Sequence, residues 1–160
     1  MQEKKANNSE AYFLMSMAYL ELGEVAAQHQ NETGEYQNAV AYQLYHALEI
    51  FLKYAILKKI GSHKKGHDLR VLFEEYNKLY AENKYRIESP FDFTIYEAND
   101  FNIGEKKMYI NHLNQFDPKI MDQHLRYPPD EKTGGYSFRI ESDIFTDMKN
   151  KFLEIYGEMN

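Results

Sequence analysis

The spacing of apolar and polar positions reads as helix over most of the chain. In residues 10–30, Tyr12, Met15, Tyr19, Leu22 and Ala26 recur at intervals of three and four, which predicts a first helix with that stripe inward and Ser9 as its cap. A second helix is predicted over about 36–60. Its Val40, Leu44, Ala47, Leu48, Phe51 and Ala55 fall within one arc about 100° wide. The opposite side carries Tyr42, His46, Glu49 and Lys53 on one narrow line, bordered by Tyr45, Ile50, Ile56 and Leu57. A helix apolar nearly all round needs cover on both sides, and a second subunit is one candidate for the second cover. Gly61 stands where a left-handed helix end belongs.

Asp68 is placed to cap a third helix, about 69–83, with Leu69, Leu72, Phe73, Tyr76, Leu79 and Tyr80 inward. The alternation of Phe91, Phe93 and Ile95 fits either a short strand or an extended loop. A further helical pattern covers about 105–116 through Met108, His112, Leu113 and Phe116, and Asp117-Pro118 opens a short turn to about 124. A last helix, 143–156, is expected behind Ser142, with Gly157 beyond its end. The sum is an all-α, up-and-down bundle of four or five helices in a single domain spanning 1–160, with an irregular excursion around 85–136.

Composition narrows the function. A net charge of −6, with no run of more than two Lys or Arg, argues against an extended nucleic-acid surface and leaves room only for a local phosphate-binding cluster. With 14 Tyr and 10 Phe, aromatic residues suit either helix flanks or a wet cleft. The absence of cysteine removes disulfides, thiolate nucleophiles and Cys zinc sites. The first ten residues have no apolar core of signal-peptide type, and no apolar run approaches membrane-spanning length, so the expectation is a cytoplasmic protein with no membrane association.

Three groups of residues carry candidate chemistry. His46, Glu49 and Lys53 share one helix face, with Glu49 before Lys53 in the favourable ion-pair order. They read either as a salt bridge or as a polar line that positions a phosphate or nucleobase. His63 and His67 stand four apart but in a glycine-flanked loop, and no Glu is followed three residues later by His, so no metal site and no cofactor are expected. Phosphate-binding glycine loops are absent, since "KTGGYS" lacks the spacing. In "LRYPPDEKTGGYSF", residues 125–138, two prolines stiffen the backbone after Arg126 and Tyr127, which lowers the cost of holding the Arg126 fork for a carboxylate or phosphate. The alternative for Arg126 is a hydrogen bond to helix-end carbonyls.

Three stretches, in order, resemble the HEPN family of small helical domains. "AYQLYHALEIFLKYAILKKIG" is similar to its second helix, and "GHDLRVLFEEY" to the start of its third. "RYPPDEKTGGYSF" is similar to the Arg-Tyr-Pro-Asp segment of HEPN proteins encoded beside minimal nucleotidyltransferases. The resemblance implies a homodimer with a polar cleft at the interface, a nucleotide or RNA ligand, a possible nucleotidyltransferase partner, and a place in toxin–antitoxin or defence systems. It puts Arg126, Tyr127, His46, Glu49, Lys53, His67 and Asp68 in the ligand site. Family ribonucleases carry a histidine four to six residues beyond the arginine. Here those positions are Asp130, Glu131 and Lys132, and no histidine follows Arg126. The expectation is therefore a binder that does not cleave. A ribonuclease using Arg126 with His46 or His67, and a pure protein-interaction module, are the alternatives.

Overall fold

The computed structural model describes residues 8–30, 36–63, 65–93, 118–127 and 139–160. Five α-helices follow in order: α1 Ser9–Gln28, α2 Gln37–Ile60, α3 Leu69–Leu79, α4 Met121–Arg126 and α5 Ser142–Met159, with a 3₁₀ turn at Asn83–Tyr85. Among the described residues there is no strand, and Phe91 to Phe93 run without regular structure. The helix expected at 105–116, the prolines at 128 and 129, and Asp130, Glu131 and Lys132 lie outside the described residues.

α2 is the axis of the molecule. Its apolar arc is buried as the periodicity predicts, and its other flanks (Tyr45, Ile50, Leu52, Tyr54 and Ile56) are buried as well. The cover comes from the same chain, because α1, α3 and α4 all pack against α2 while α5 packs on α1. A second subunit is thus not needed to close the greater part of it. Aromatic rings join the three long helices: Phe51 of α2 stacks on Phe152 of α5 at 3.8 Å, and Phe13 of α1 stacks on Tyr156 of α5 at 4.0 Å. Such pairs add about 0.5–1.5 kcal/mol beyond the area they bury.

The inward face of α1 differs from the predicted stripe. Phe13, Ser16, Leu20, Gly23 and Ala27 are buried. Tyr12, Tyr19 and Ala26 of the predicted stripe pack against the same core while partly buried, but Met15 and Leu22 are exposed. α1 is apolar on two sides, so periodicity alone does not choose between them. Shape does. A Cβ on Gly23 would stand 2.1 Å from the Phe145 ring, so the bare glycine backbone is what lets this fully buried ring of α5 lie against α1.

Helix ends also shift. Asn8, not Ser9, precedes α1, and Ser9 is its first, buried residue. Glu141 precedes α5, which runs through Gly157 to Met159. α3 stops at Leu79, short of 83, because Tyr80 leaves helical geometry and its buried hydroxyl donates to the Ala55 carbonyl at 2.8 Å. The other two expected ends hold. Gly61 takes a φ of 80° and donates to the Leu57 carbonyl at 2.8 Å, and Asp68 accepts from the Arg70 and Val71 amides at 3.0 and 3.3 Å.

Two outcomes test this core. Gly23→Ala should destabilise the protein by about 1–3 kcal/mol despite alanine's better helix propensity, since Phe145 has no free space to enter. A raised melting temperature would show that the ring can swing aside. Burial raises the pKa of the Tyr45, Tyr76 and Tyr80 phenols above 10.0, that of Tyr80 to about 12. The stability the neutral Tyr80 phenol contributes is present below pH 10 and is lost as pH rises through about 12, while the Tyr45 and Tyr76 phenols are held neutral to still higher pH. Alkaline titration should therefore show an early tyrosinate rise from the exposed phenols such as Tyr36 and Tyr127 with the helices intact, and a later rise that grows together with loss of helical circular dichroism. Ionisation of all 14 tyrosines near pH 10 with the helices intact would contradict these burials.

Candidate functional site

Glu49 stands in the middle of α2 and is 2 % exposed. Lone burial of a carboxylate is costly, so its surroundings are decisive. His46, one turn earlier, brings Nδ1 to 3.2 Å from Glu49 Oε1, and Lys53, one turn later, places Nζ 4.0 Å from Oε2. The third partner comes from outside the helix. The chain leaves α2 through Gly61, turns again at Gly66 with φ 131°, and returns His67 over α2, where its Nδ1 lies 2.7 Å from Glu49 Oε2. The Tyr45 hydroxyl donates a short hydrogen bond to the His67 carbonyl, so backbone and ring of His67 are both fastened to α2.

Burial alone would raise the Glu49 pKa. The hydrogen bond from His46, the charge of Lys53 and the hydrogen bond from His67 outweigh it and hold the carboxyl below its ordinary value. With both Nδ1 atoms engaged by one carboxylate, each imidazole has its Nε2 left for a ligand. The His67 side chain is 59 % exposed and that of His46 is 23 %. Tyr42 stacks on His46 with centroids 5.5 Å apart, and Tyr19 of α1 meets the same ring edge-on at 4.5 Å.

Arg126 is the last residue of α4 rather than part of the segment after it. Its Nε donates to the Asp122 carbonyl at 3.2 Å, and Nη2 lies 3.3 Å from Asp122 Oδ2. The helix-carbonyl alternative is thus realised, with the side chain still 44 % exposed and the guanidinium 5.6 Å above the Tyr127 ring. Its helix, α4, packs on α2, and the Arg126 charge bears on the Tyr42 phenol. Burial raises the pKa of that phenol, Arg126 opposes the rise, and Glu49 adds to it.

The structure brings His46, Glu49, Lys53 and His67 into one cluster, while Arg126 ends α4, a helix that packs on α2. Asp68 is not part of the cluster in the same sense, since its carboxylate is spent on the α3 cap. Tyr127 is exposed and reaches the site only through Arg126. Sequence reasoning missed Tyr19, the hydroxyl of Tyr45 and Asp122. The Asp122–Arg126 spacing of four is a signal in hindsight, whereas nothing in the spacing of α1 points to His46. Among the described residues no group of three or more His, Cys, Asp or Glu is arranged to hold a metal ion.

Residues 24–104 match the model of the HEPN domain, 81 of the chain's 160 residues. The chain belongs to the HEPN family. No curated protein and no solved structure matches it. The HEPN match takes in His46, Glu49, Lys53, His67 and Asp68, and ends before Arg126 and Tyr127. HEPN domains often dimerise, and the family points to a nucleotide- or RNA-related function. Among the described residues no helix is long and apolar enough to cross a membrane.

Glu49→Gln should cost about 1–3 kcal/mol, because an amide cannot accept from both imidazoles and its NH₂ group faces one of the donors. Since the folded-state pKa of Glu49 is depressed, the stability it contributes is present above about 4.5 and is lost as pH falls through the lower, folded value. Urea melts of both proteins should therefore differ most at neutral pH and converge in acid. A gap that stays constant down to pH 3 would remove the charge from the explanation.

Proposed function

We propose that this HEPN domain binds the phosphate of a nucleotide or of an RNA end at the His46–Glu49–His67 cluster, without cleaving it. The observation that carries the reading is the fastening of two imidazoles by one buried carboxylate, which leaves two Nε2 edges for a ligand, and Arg126 ends α4, a helix that packs on the same α2. Protonated imidazole and guanidinium both donate to phosphate oxygens. Tyr42 and Tyr19 offer ring faces and edges for a base. The acidic balance of the chain confines recognition to this one place. The domain would act as a homodimer in a toxin–antitoxin or defence-type system, with a small nucleotidyltransferase as its protein partner.

A second reading has one observation in its favour. A histidine whose Nδ1 is held by a buried carboxylate, with Nε2 outward, is set up as a general acid–base, and His67 has that arrangement. On this reading His67 would move the proton at the ribose hydroxyl while Arg126 steadies the phosphate.

One experiment separates them. A fluorescein-labelled single-stranded RNA is titrated with wild type and with Arg126→Ala and His67→Ala, by anisotropy first and then on a denaturing gel. Binding weakened roughly tenfold by either change, with the RNA intact, is the expected result, together with a shallower salt dependence for Arg126→Ala. Cleavage abolished by His67→Ala would establish the second reading. Equal binding by all three proteins, or none, would refute both and leave an interaction module.

A further inference from the structure

Cations are unevenly paired along the chain. Among the described residues, Lys53, Lys84, Arg86, Arg126, Arg139, Lys149 and Lys151 each lie within 4.0 Å of a carboxylate. Lys58, Lys59, Lys65, Arg70 and Lys78 have no such partner among the described residues. All five fall within one stretch of a chain whose net charge is −6. The sequence shows why. From residue 50 to residue 67 there is no Asp or Glu, while five Lys and two His occur.

Three of these cations have a local explanation. Lys58 and Lys59 end α2 and Lys78 stands in the last turn of α3, where the negative end of a helix dipole favours a cation. Lys58 also donates to the Asn160 side chain, and Lys59 lies over the Tyr80 ring. Lys65 and Arg70 have no such reason. Lys65 is exposed in the loop between α2 and α3. Arg70 stands in the first turn of α3, at the positive end of the dipole, where a cation is unfavourable. The two flank His67, two residues before it and three after it. The backbone that carries them is pinned on both sides. His63 Nε2 lies 3.1 Å from the Tyr12 hydroxyl, Glu49 and Tyr45 hold His67, and Asp68 caps α3.

We infer that Lys65 and Arg70 contact the backbone of a single-stranded RNA whose terminal phosphate sits at the His46–Glu49–His67 cluster, so that the ligand is a strand rather than a free nucleotide. This rests on the reading of that cluster as a phosphate site. Lys65, His67 and Arg70 fall within six residues, no more than about 18 Å even if extended. A few nucleotides cover that length. A cation with no carboxylate of its own gives up no ion pair on meeting phosphate, whereas Arg139 or Lys149 would have to leave one. Each phosphate neutralised also releases counterions, which adds to affinity. An acidic peptide would supply the charge but would give the Tyr19 and Tyr42 rings no base to stack on. The patch is made by missing acids rather than by a run of bases, so counting Lys and Arg runs does not reveal it.

Calorimetry at low salt, with uridine monophosphate and with 5′-phosphorylated hexauridylate, tests this. Wild type should bind the strand at least about tenfold tighter than the nucleotide. Lys65→Gln combined with Arg70→Gln should abolish that gain and leave nucleotide binding unchanged. The slope of log K against log salt for the strand should fall by about 1.4 in the double variant, at ~0.7 per phosphate. Arg70→Gln alone should leave the melting temperature unchanged or raised, and a clear fall would give Arg70 a role in the fold and remove it from the RNA path. Equal affinity for strand and nucleotide, or a gain that survives the double substitution, would overturn the inference and leave the phosphate site standing. No binding of either ligand would overturn both. Polyglutamate bound in place of the strand, and lost in the double variant, would assign the patch to an acidic protein instead.

Discussion

A charged group fixed in the middle of the most buried helix constrains everything packed around it. Taking a carboxylate out of water costs several kcal/mol unless donors replace the lost hydration. α2 supplies two of the three donors to Glu49 from its own turns, but the nearest lies beyond the end of the helix, at His67. The loop between α2 and α3 must therefore return across the surface of α2, and two glycines at positive φ make that path possible. Asp68 follows immediately and caps α3, so the demand of one buried charge also sets where the third helix begins.

This dependence explains which parts of the structure were legible in the chain. The faces of α2 and α3 were readable because their apolar positions repeat cleanly and the caps at Gly61 and Asp68 have local chemistry. The polar line His46, Glu49 and Lys53 was readable for the same reason. For Glu49 the apolar borders showed only that its side of α2 needs cover, and nothing in the periodicity showed that α4 and the His67 loop of the same chain would supply it. The inward face of α1 was read correctly at Tyr12, Tyr19 and Ala26 and misread at Met15 and Leu22, because the helix is apolar on two sides. The choice rested on a steric fit between Gly23 and Phe145 that joins residues more than a hundred positions apart.

Arg126 illustrates a different limit. The resemblance to nucleotidyltransferase-associated HEPN proteins drew attention to it through the segment that follows, whereas in the fold it ends a short helix and leans on Asp122 four residues earlier. Such i,i+4 pairs are weak at a surface, and this one leaves much of the guanidinium in water. The contact is thus compatible with a second partner arriving from outside. The family match covers α2 and the His67 loop but not α4.

His67 is held at its ring by Glu49, at its carbonyl by Tyr45, and through its neighbour Asp68 by the first turn of α3. An exposed loop residue ordinarily surrenders several rotameric and backbone states when it meets a ligand, at about 1–2 kcal/mol for the backbone alone. Here those states have already been surrendered during folding. Whatever touches this imidazole meets a surface group with the rigidity of an interior one, and the free energy of contact is not diminished by ordering it.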